Sequence, residues 1–211
     1  MNKNASAVVP RQFTLPLPEG EFKAYLFDCD GTVVDSMPLH YLAWQRALDA
    51  HNCAFPEELF YAWGGRPVEE ILADLSREQG LKLPVAETAH IKEGYFKEAL
   101  PELTAVAEVL EHIDEAHGKI PFAIVSGGGR DSVTQSLEQL GLLDRFETLV
   151  CAEDYTRSKP NPEPYLLAAK LLGVAPADCL VFEDTQIGID AAEAAGMKWV
   201  KVPHPMERAR R

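Results

Sequence analysis

Basic residues are scarce in this chain: 20 lysines and arginines stand against 33 aspartates and glutamates, for a formal net charge of −13. Nucleic acids and anionic membranes are held by basic patches, so this balance speaks against both as partners. It also means that an anionic ligand needs a local positive site. Cysteine is equally sparse. The four residues Cys29, Cys53, Cys151 and Cys179 show no CxxC or zinc-type spacing, which points to reduced thiols in a cytoplasmic protein. Three of them, Cys29, Cys151 and Cys179, fall in expected strands, where a cysteine is a small buried hydrophobe. No apolar run reaches the roughly 18 residues of a membrane-spanning helix. Residues 1–19 lack a signal-peptide core and carry Pro10, Pro16 and Pro18. They are expected to form an extended lead-in, partly packed through Phe13, Leu15 and Leu17. There is no internal repeat and no low-complexity segment. What is present, 46% hydrophobic and 25% charged residues, is the composition of an ordinary globular protein. A length of 211 residues allows one domain or one domain with a sizeable insertion.

Two kinds of periodicity divide the chain. From 38 to 101 apolar residues recur at helical spacing. Helices are expected over 38–52 (Ser36 as cap, Pro38 in the first turn), 57–63, 68–80 and 85–100, with the loop Trp63-Gly64-Gly65-Arg66-Pro67 among them. Trp44, Tyr61 and Trp63 are candidates for the core of this segment, for ligand contacts or for an interface. From about 102 helices and short apolar strands alternate. Helices are expected over 103–117, 131–140, 161–172 and 187–195, and strands over 120–125, 148–151, 178–182 and 199–202. Such alternation implies a parallel sheet with helices on both faces. The strand at 22–28 has no partner among the helices that follow it, so it belongs in the same sheet. The fold expected is α/β, a doubly wound, Rossmann-like parallel sheet from 20–37 and 102–211, with 38–101 inserted as a helical subdomain.

Open α/β sheets bind ligands beyond the carboxyl ends of their strands, and those ends are polar here. The first leads into Phe27-Asp28-Cys29-Asp30-Gly31-Thr32-Val33-Val34-Asp35. On an ideal strand Asp28 and Asp30 point the same way, and two like charges that close need a cation or a shared proton. Alone, the stretch fits either such a site or an Asx-rich turn after an edge strand. The second end gives Ser126-Gly127-Gly128-Gly129 at a helix entrance, where backbone N–H groups and the helix dipole suit a phosphate. The third gives Glu153-Asp154, and the fourth Glu183-Asp184, oxygen ligands of the hard type that magnesium prefers. Lys159 sits between Ser158 and Pro160-Asn161-Pro162, where the prolines hold it in place. It reads either as part of the site or as a surface lysine before a helix.

Four pieces, Asp28-Cys29-Asp30-Gly31-Thr32, Ser126, Lys159-Pro160 and Glu183-Asp184, taken in this order, resemble the haloacid dehalogenase superfamily of phosphotransferases. The insert after Asp35 and the run Asp184-Thr185-Gln186-Ile187-Gly188-Ile189-Asp190 resemble its small-cap, β-phosphoglucomutase-like subgroup. The resemblance implies a nucleophilic Asp28 that forms an aspartyl phosphate and Asp30 as general acid and base. It implies Mg²⁺ held by Asp28, the backbone carbonyl of Asp30, Asp184 and Glu183. Ser126, Gly127 and Lys159 would bind the phosphoryl group. Ser36 and His40 match cap-hinge positions, His40 being either a substrate-side residue or a helix-surface histidine. Arg66 and Arg130 are candidate contacts for the non-reacting end of a substrate, or solvated arginines. The mutase pattern places a lysine and an arginine around a glycine in the cap loop; Trp63 and Pro67 stand at those positions here. The expected activity is therefore Mg²⁺-dependent hydrolysis of small phosphorylated metabolites such as sugar phosphates; the sequence leaves the oligomeric state open, a monomer included. The alternatives are a phosphoglucomutase and a non-catalytic metabolite-binding protein on the same fold.

Overall fold

The computed structural model describes residues 13–208. Of the lead-in, residues 1–12 lie outside the described residues, as do the last three residues of the 102–211 segment. The chain divides into two compact units, Ser36–Glu102 and the remainder.

The larger unit is built on five parallel strands: β1 (Ala24–Phe27), β2 (Phe122–Val125), β3 (Thr148–Val150), β4 (Cys179–Glu183) and β5 (Lys198–Lys201). Their order is β3-β2-β1-β4-β5. Parallel neighbours cannot be joined by hairpins. Helices α5 (Ala107–Ala116), α6 (Arg130–Gln139), α7 (Glu163–Leu172) and α8 (Gln186–Ala194) supply the crossovers, and a short α9 (Pro205–Arg208), absent from the sequence-based expectation, ends the unit. The central strands are buried on both faces, as expected where helices cover both sides of a parallel sheet. The two faces are filled differently. Ala24 and Leu26 meet Ala168, Ala169, Ala191 and Ala192 of α7 and α8, small residues that let helix and strand backbones approach. Tyr25, Phe27, Phe122 and Phe182 stack on the other face, with Phe27 and Phe182 rings 4.6 Å apart.

Two departures from expectation have local causes. Helix α5 begins at Ala107 rather than 103, because 103–106 is extended and bonded to the loop after β1: Asp35 N–H donates to Thr104 O and Val106 N–H to Val33 O. Cys29 and Cys151 lie just past β1 and β3 rather than inside them, while all four cysteines are buried and free. In the lead-in, Phe13 and Leu15 are buried and Leu17 is exposed. Phe13 N–H donates to the Glu108 carboxylate.

The smaller unit is helical throughout: α1 (Met37–Asp49), α2 (Glu57–Ala62), α3 (Val68–Gln79) and α4 (Val85–Ala99). Its own core gathers Trp44, Phe55, Phe60, Leu72 and Leu75, with Tyr61 and Trp63 packed partly against it. The tryptophans and Tyr61 thus serve this core. No described helix is long and apolar enough to cross a membrane.

Candidate active site

The sheet register places the site. Phe27 pairs with Phe182 and with Ile124, so the next residues, Asp28, Glu183 and Val125, lie level at the carboxyl edge, at the centre of the sheet. Asp28 N–H extends the ladder by donating to Phe182 O at 3.0 Å. Beyond it the chain turns sharply: Cys29 O accepts from the N–H groups of Thr32, Val33 and Val34, and Gly31 takes φ +90°. That backbone conformation favours glycine. Asp30 is already in this turn, so Asp28 and Asp30 are not i, i+2 neighbours on one strand face as expected. Its carboxylate is nonetheless close by, facing Gly128, where an added Cβ would stand 3.8 Å from Asp30 Oδ2 and 3.3 Å from Ser126 Oγ.

Lys159 is the centre of the arrangement. It is 7% exposed, and its ammonium donates to Asp28 Oδ1 at 2.8 Å, Val125 O at 2.9 Å and Glu183 Oε2 at 3.1 Å. Three N–H groups meet three acceptors, which is the full donor capacity of a lysine. A buried ammonium is tolerated only when paired in this way. Burial alone would lower its pKa, but Asp28 and Glu183 hold it well above the usual value. The surface-lysine alternative is thereby excluded.

Carboxylate oxygens of Asp28, Glu183 and Asp184, all buried, lie within 4.8 Å of one another. Burial first, and then the neighbouring carboxylates, push the pKa values of Asp28 and Asp184 well above the usual carboxylate range. Three carboxylates and one ammonium leave an excess of two negative charges, which a single divalent cation cancels. An all-oxygen donor set of this kind fits Mg²⁺. Asp30 contributes no side-chain oxygen to the cluster.

Several supporting residues carried no assigned role in the sequence. Thr32 donates to Asp184 Oδ1 at 3.3 Å. Tyr165, at the start of α7, donates its hydroxyl to Glu183 Oε2 at 2.9 Å, and its ring centroid lies 4.9 Å from Lys159 Nζ. Thr185 caps α8 and donates its hydroxyl to Glu183 Oε1. The residue type gives little signal in each case, because threonine is common in turns and a tyrosine or threonine at a helix start is ordinary. Only the tertiary contact singles it out.

At the Gly-rich turn the start of α6 is bonded within the protein, since Arg130 N–H donates to both Glu153 oxygens at 3.1 Å. Ser126 and Gly127, the residues of this turn expected to meet phosphate, lie ahead of that helix. Ser126 is buried, and its Oγ accepts from Gly128 N–H at 2.9 Å. Arg130 is not gathered with Asp28 and Lys159 either. Its guanidinium is bonded to Leu149 O and the Asp154 carboxylate, beside an open groove of about 560 Å³ along β3 that Phe146, Leu167 and Leu171 also line.

Residues 25–202 match the sequence profile of haloacid dehalogenase-like hydrolases. The chain belongs to this family. A fructose-1-phosphate phosphatase of Escherichia coli, YqaB, is 30% identical over 86% of the chain and 96% of its own length. A β-phosphoglucomutase of Bacillus subtilis is 28% identical over 83% of the chain and 80% of its length. Among solved structures, a β-phosphoglucomutase from Clostridium difficile superposes with a TM-score of 0.76 at 23% identity, covering 84% of this chain and 83% of its own. That likeness is one of fold.

The smaller unit holds the other two positions singled out in the sequence. His40, on α1, stacks on Phe96 with ring centroids 3.8 Å apart, and its Nδ1 lies 2.9 Å from Lys92 Nζ. An ammonium only donates, so Nδ1 accepts and the ring proton sits on Nε2. His40 is therefore not a plain surface histidine, and its partner Lys92 was not anticipated. Arg66 is bonded to Asp74 at 2.6 Å, lies 3.8 Å from Glu70, and covers the Trp63 ring at 4.7 Å.

Proposed function

We propose that this protein is a Mg²⁺-dependent phosphatase of small phosphorylated carbohydrates, working through an aspartyl phosphate on Asp28. The observation that carries this reading is the buried contact of Lys159 with Asp28 beside two further carboxylates. A carboxylate nucleophile needs a fixed orientation and a cationic surround to accept a dianionic phosphoryl group. Lys159 on Asp28 Oδ1 supplies both.

In the first half-reaction an Asp28 oxygen bonds to phosphorus as the phosphorus–oxygen ester bond breaks. Asp30, protonated, gives its proton to the departing alkoxide. In the second, Asp30 takes a proton from water as that water's oxygen bonds to phosphorus, and phosphate leaves Asp28. Ser126 and the N–H of Gly127 meet phosphoryl oxygens. Asp28 and Asp184 would hold the cation, with the backbone carbonyl of Asp30. When bound, Mg²⁺ neutralises charge on the transferring group.

Two of the relatives named above are a sugar-phosphate phosphatase and a sugar-phosphate mutase. Hydrolysis is the better reading because the cation nearest the mutase loop pattern, Arg66, is already bonded to Asp74, which leaves little to grip a second phosphate. The buried, free cysteines accord with a reducing compartment.

A screen of phosphorylated sugars for phosphate release with Mg²⁺ and with EDTA tests the activity. Asp28→Asn is expected to remove turnover of every substrate found while leaving the melting temperature unchanged or raised, because it removes a buried charge. Retained turnover would defeat the covalent route. β-Glucose 1-phosphate offered with the 1,6-bisphosphate separates the two reactions. Glucose 6-phosphate formed without free phosphate would establish the mutase instead.

A further inference from the structure

Glu183 has no acceptor site left over. An ionised carboxylate offers about four lone-pair positions, and four donors meet this one. Oε1 accepts from the Thr185 hydroxyl and, at 3.3 Å, from Thr185 N–H. Oε2 accepts from Lys159 at 3.1 Å and from the Tyr165 hydroxyl at 2.9 Å. Each donor is itself fixed. Tyr165 is fully buried, and Thr185 caps α8 through Gly188 N–H at 3.2 Å. Gly188 also makes room, since a Cβ there would stand 2.0 Å from Glu183 Oε1. The surrounding chain is thus shaped to hold this carboxylate in one place.

We propose that Tyr165 and Thr185 fix Glu183 as the anchor of Lys159, and that Glu183 stays outside the Mg²⁺ coordination, which Asp28 and Asp184 supply. This rests on the phosphatase reading and assigns Tyr165 as a positioning residue that acts through Glu183 on the lysine. To reach a cation, Glu183 would have to release the tyrosine, the threonine or the lysine. Asp184 faces a lighter demand, with Thr32 on Oδ1 at the longer distance of 3.3 Å.

A crystal structure grown with MgCl₂ and no substrate reads the position of Glu183 directly. The expected result is Mg²⁺ with oxygens of Asp28 and Asp184 at about 2.1 Å and Glu183 still bonded to Tyr165. A Glu183 oxygen in the coordination shell would overturn the proposal. Tyr165→Phe keeps the ring and the charge balance and removes only the hydroxyl. Titration of Mg²⁺ into this variant is expected to give a Kd within about threefold of wild type, while kcat falls about tenfold with little change in KM, as for loss of one hydrogen bond to a charged group. Mg²⁺ binding weakened beyond this range would show Glu183 to be a metal ligand that Tyr165 orients, and an unchanged kcat would show that Lys159 does not depend on Tyr165; either result refutes the assignment. The metal position is read without substrate, so a wild type that hydrolyses no phosphate ester counts against the phosphatase reading alone.

Discussion

Among the described residues two lysines are buried, one in each unit, and their surroundings differ. Lys159, in the sheet unit, sits among carboxylates and a backbone carbonyl that use all three of its protons. Lys92, 6% exposed on α4, is placed against aromatic rings. It contacts the His40 imidazole at 2.9 Å and the Phe96 face at 5.3 Å, with Glu93 at 3.6 Å. The first is a cation whose neighbours carry net negative charge, so removing it leaves anions unpaired. The second touches the His40 ring nitrogen and the Glu93 carboxylate within its own unit, so removing it leaves His40 Nδ1 without this donor. A buried charge is thus dispensable or not according to what remains when it goes.

Lys159→Met is the strongest break of this comparison. Turnover is expected to fall by about a thousandfold or more, as when an oxyanion-type contact is lost. Stability in urea at neutral pH is expected to drop by about 3 kcal/mol, the cost of leaving a buried partner unpaired. That loss should shrink as pH is lowered. The pKa values of Asp28 and Asp184 are raised in the folded state, so their folded forms gain relative stability from protons that bind at acid pH. A variant with full turnover would show that Lys159 is packing and not chemistry.

The same raised values make metal binding pH-dependent. A cation needs both carboxylates ionised, so Mg²⁺ affinity is expected to rise with pH through the raised carboxylate range and then level off. Calorimetric titration of the metal-free protein at pH values from about 4, the ordinary carboxylate range, upward reads this. An affinity that is flat throughout would mean that the site is already ionised.

Lys92→Met carries the smallest expected effect. Its stability is expected to fall by about 1–2 kcal/mol, the cost of leaving the buried His40 acceptor without its donor, less than the loss for Lys159→Met. Its Mg²⁺ affinity should match wild type. A drop as large as that of Lys159→Met would erase the distinction between the two lysines.

Much of the fold was legible because helix and strand periods differ and the strands are short apolar runs between turn residues. The exceptions are instructive. Residues 103–106 have nothing in their sequence to forbid a helix, and only their bonds to Val33 and Asp35 keep them extended. α9 follows Pro203 and starts at Pro205, with little periodicity to read. It is tied down by tertiary contacts: Arg208 reaches Asp35 at 3.2 Å and donates to Pro203 O at 2.6 Å. In the site, Asp28, Lys159, Glu183 and Asp184 could be singled out from strand ends and residue type. Tyr165 and Lys92 could not, because their partners Glu183 and His40 lie 18 and 52 residues away, and the reach of Thr32 to Asp184 spans 152.

By itself the sequence determined the order and type of most elements, that the sheet is parallel, and that its polar edge is the place for chemistry. These follow from local periodicity and from the rule that parallel strands present all their carboxyl ends on one side. Only the tertiary structure decided which polar side chains share that edge. It gathered Asp28 and Asp184 with Lys159, closed the glycine turn's helix with Glu153, and tied Arg130 and Arg66 to carboxylates of their own units. The physical reason is that a charge is assigned by its neighbours after burial, and neighbours distant along the chain are not written in any local pattern.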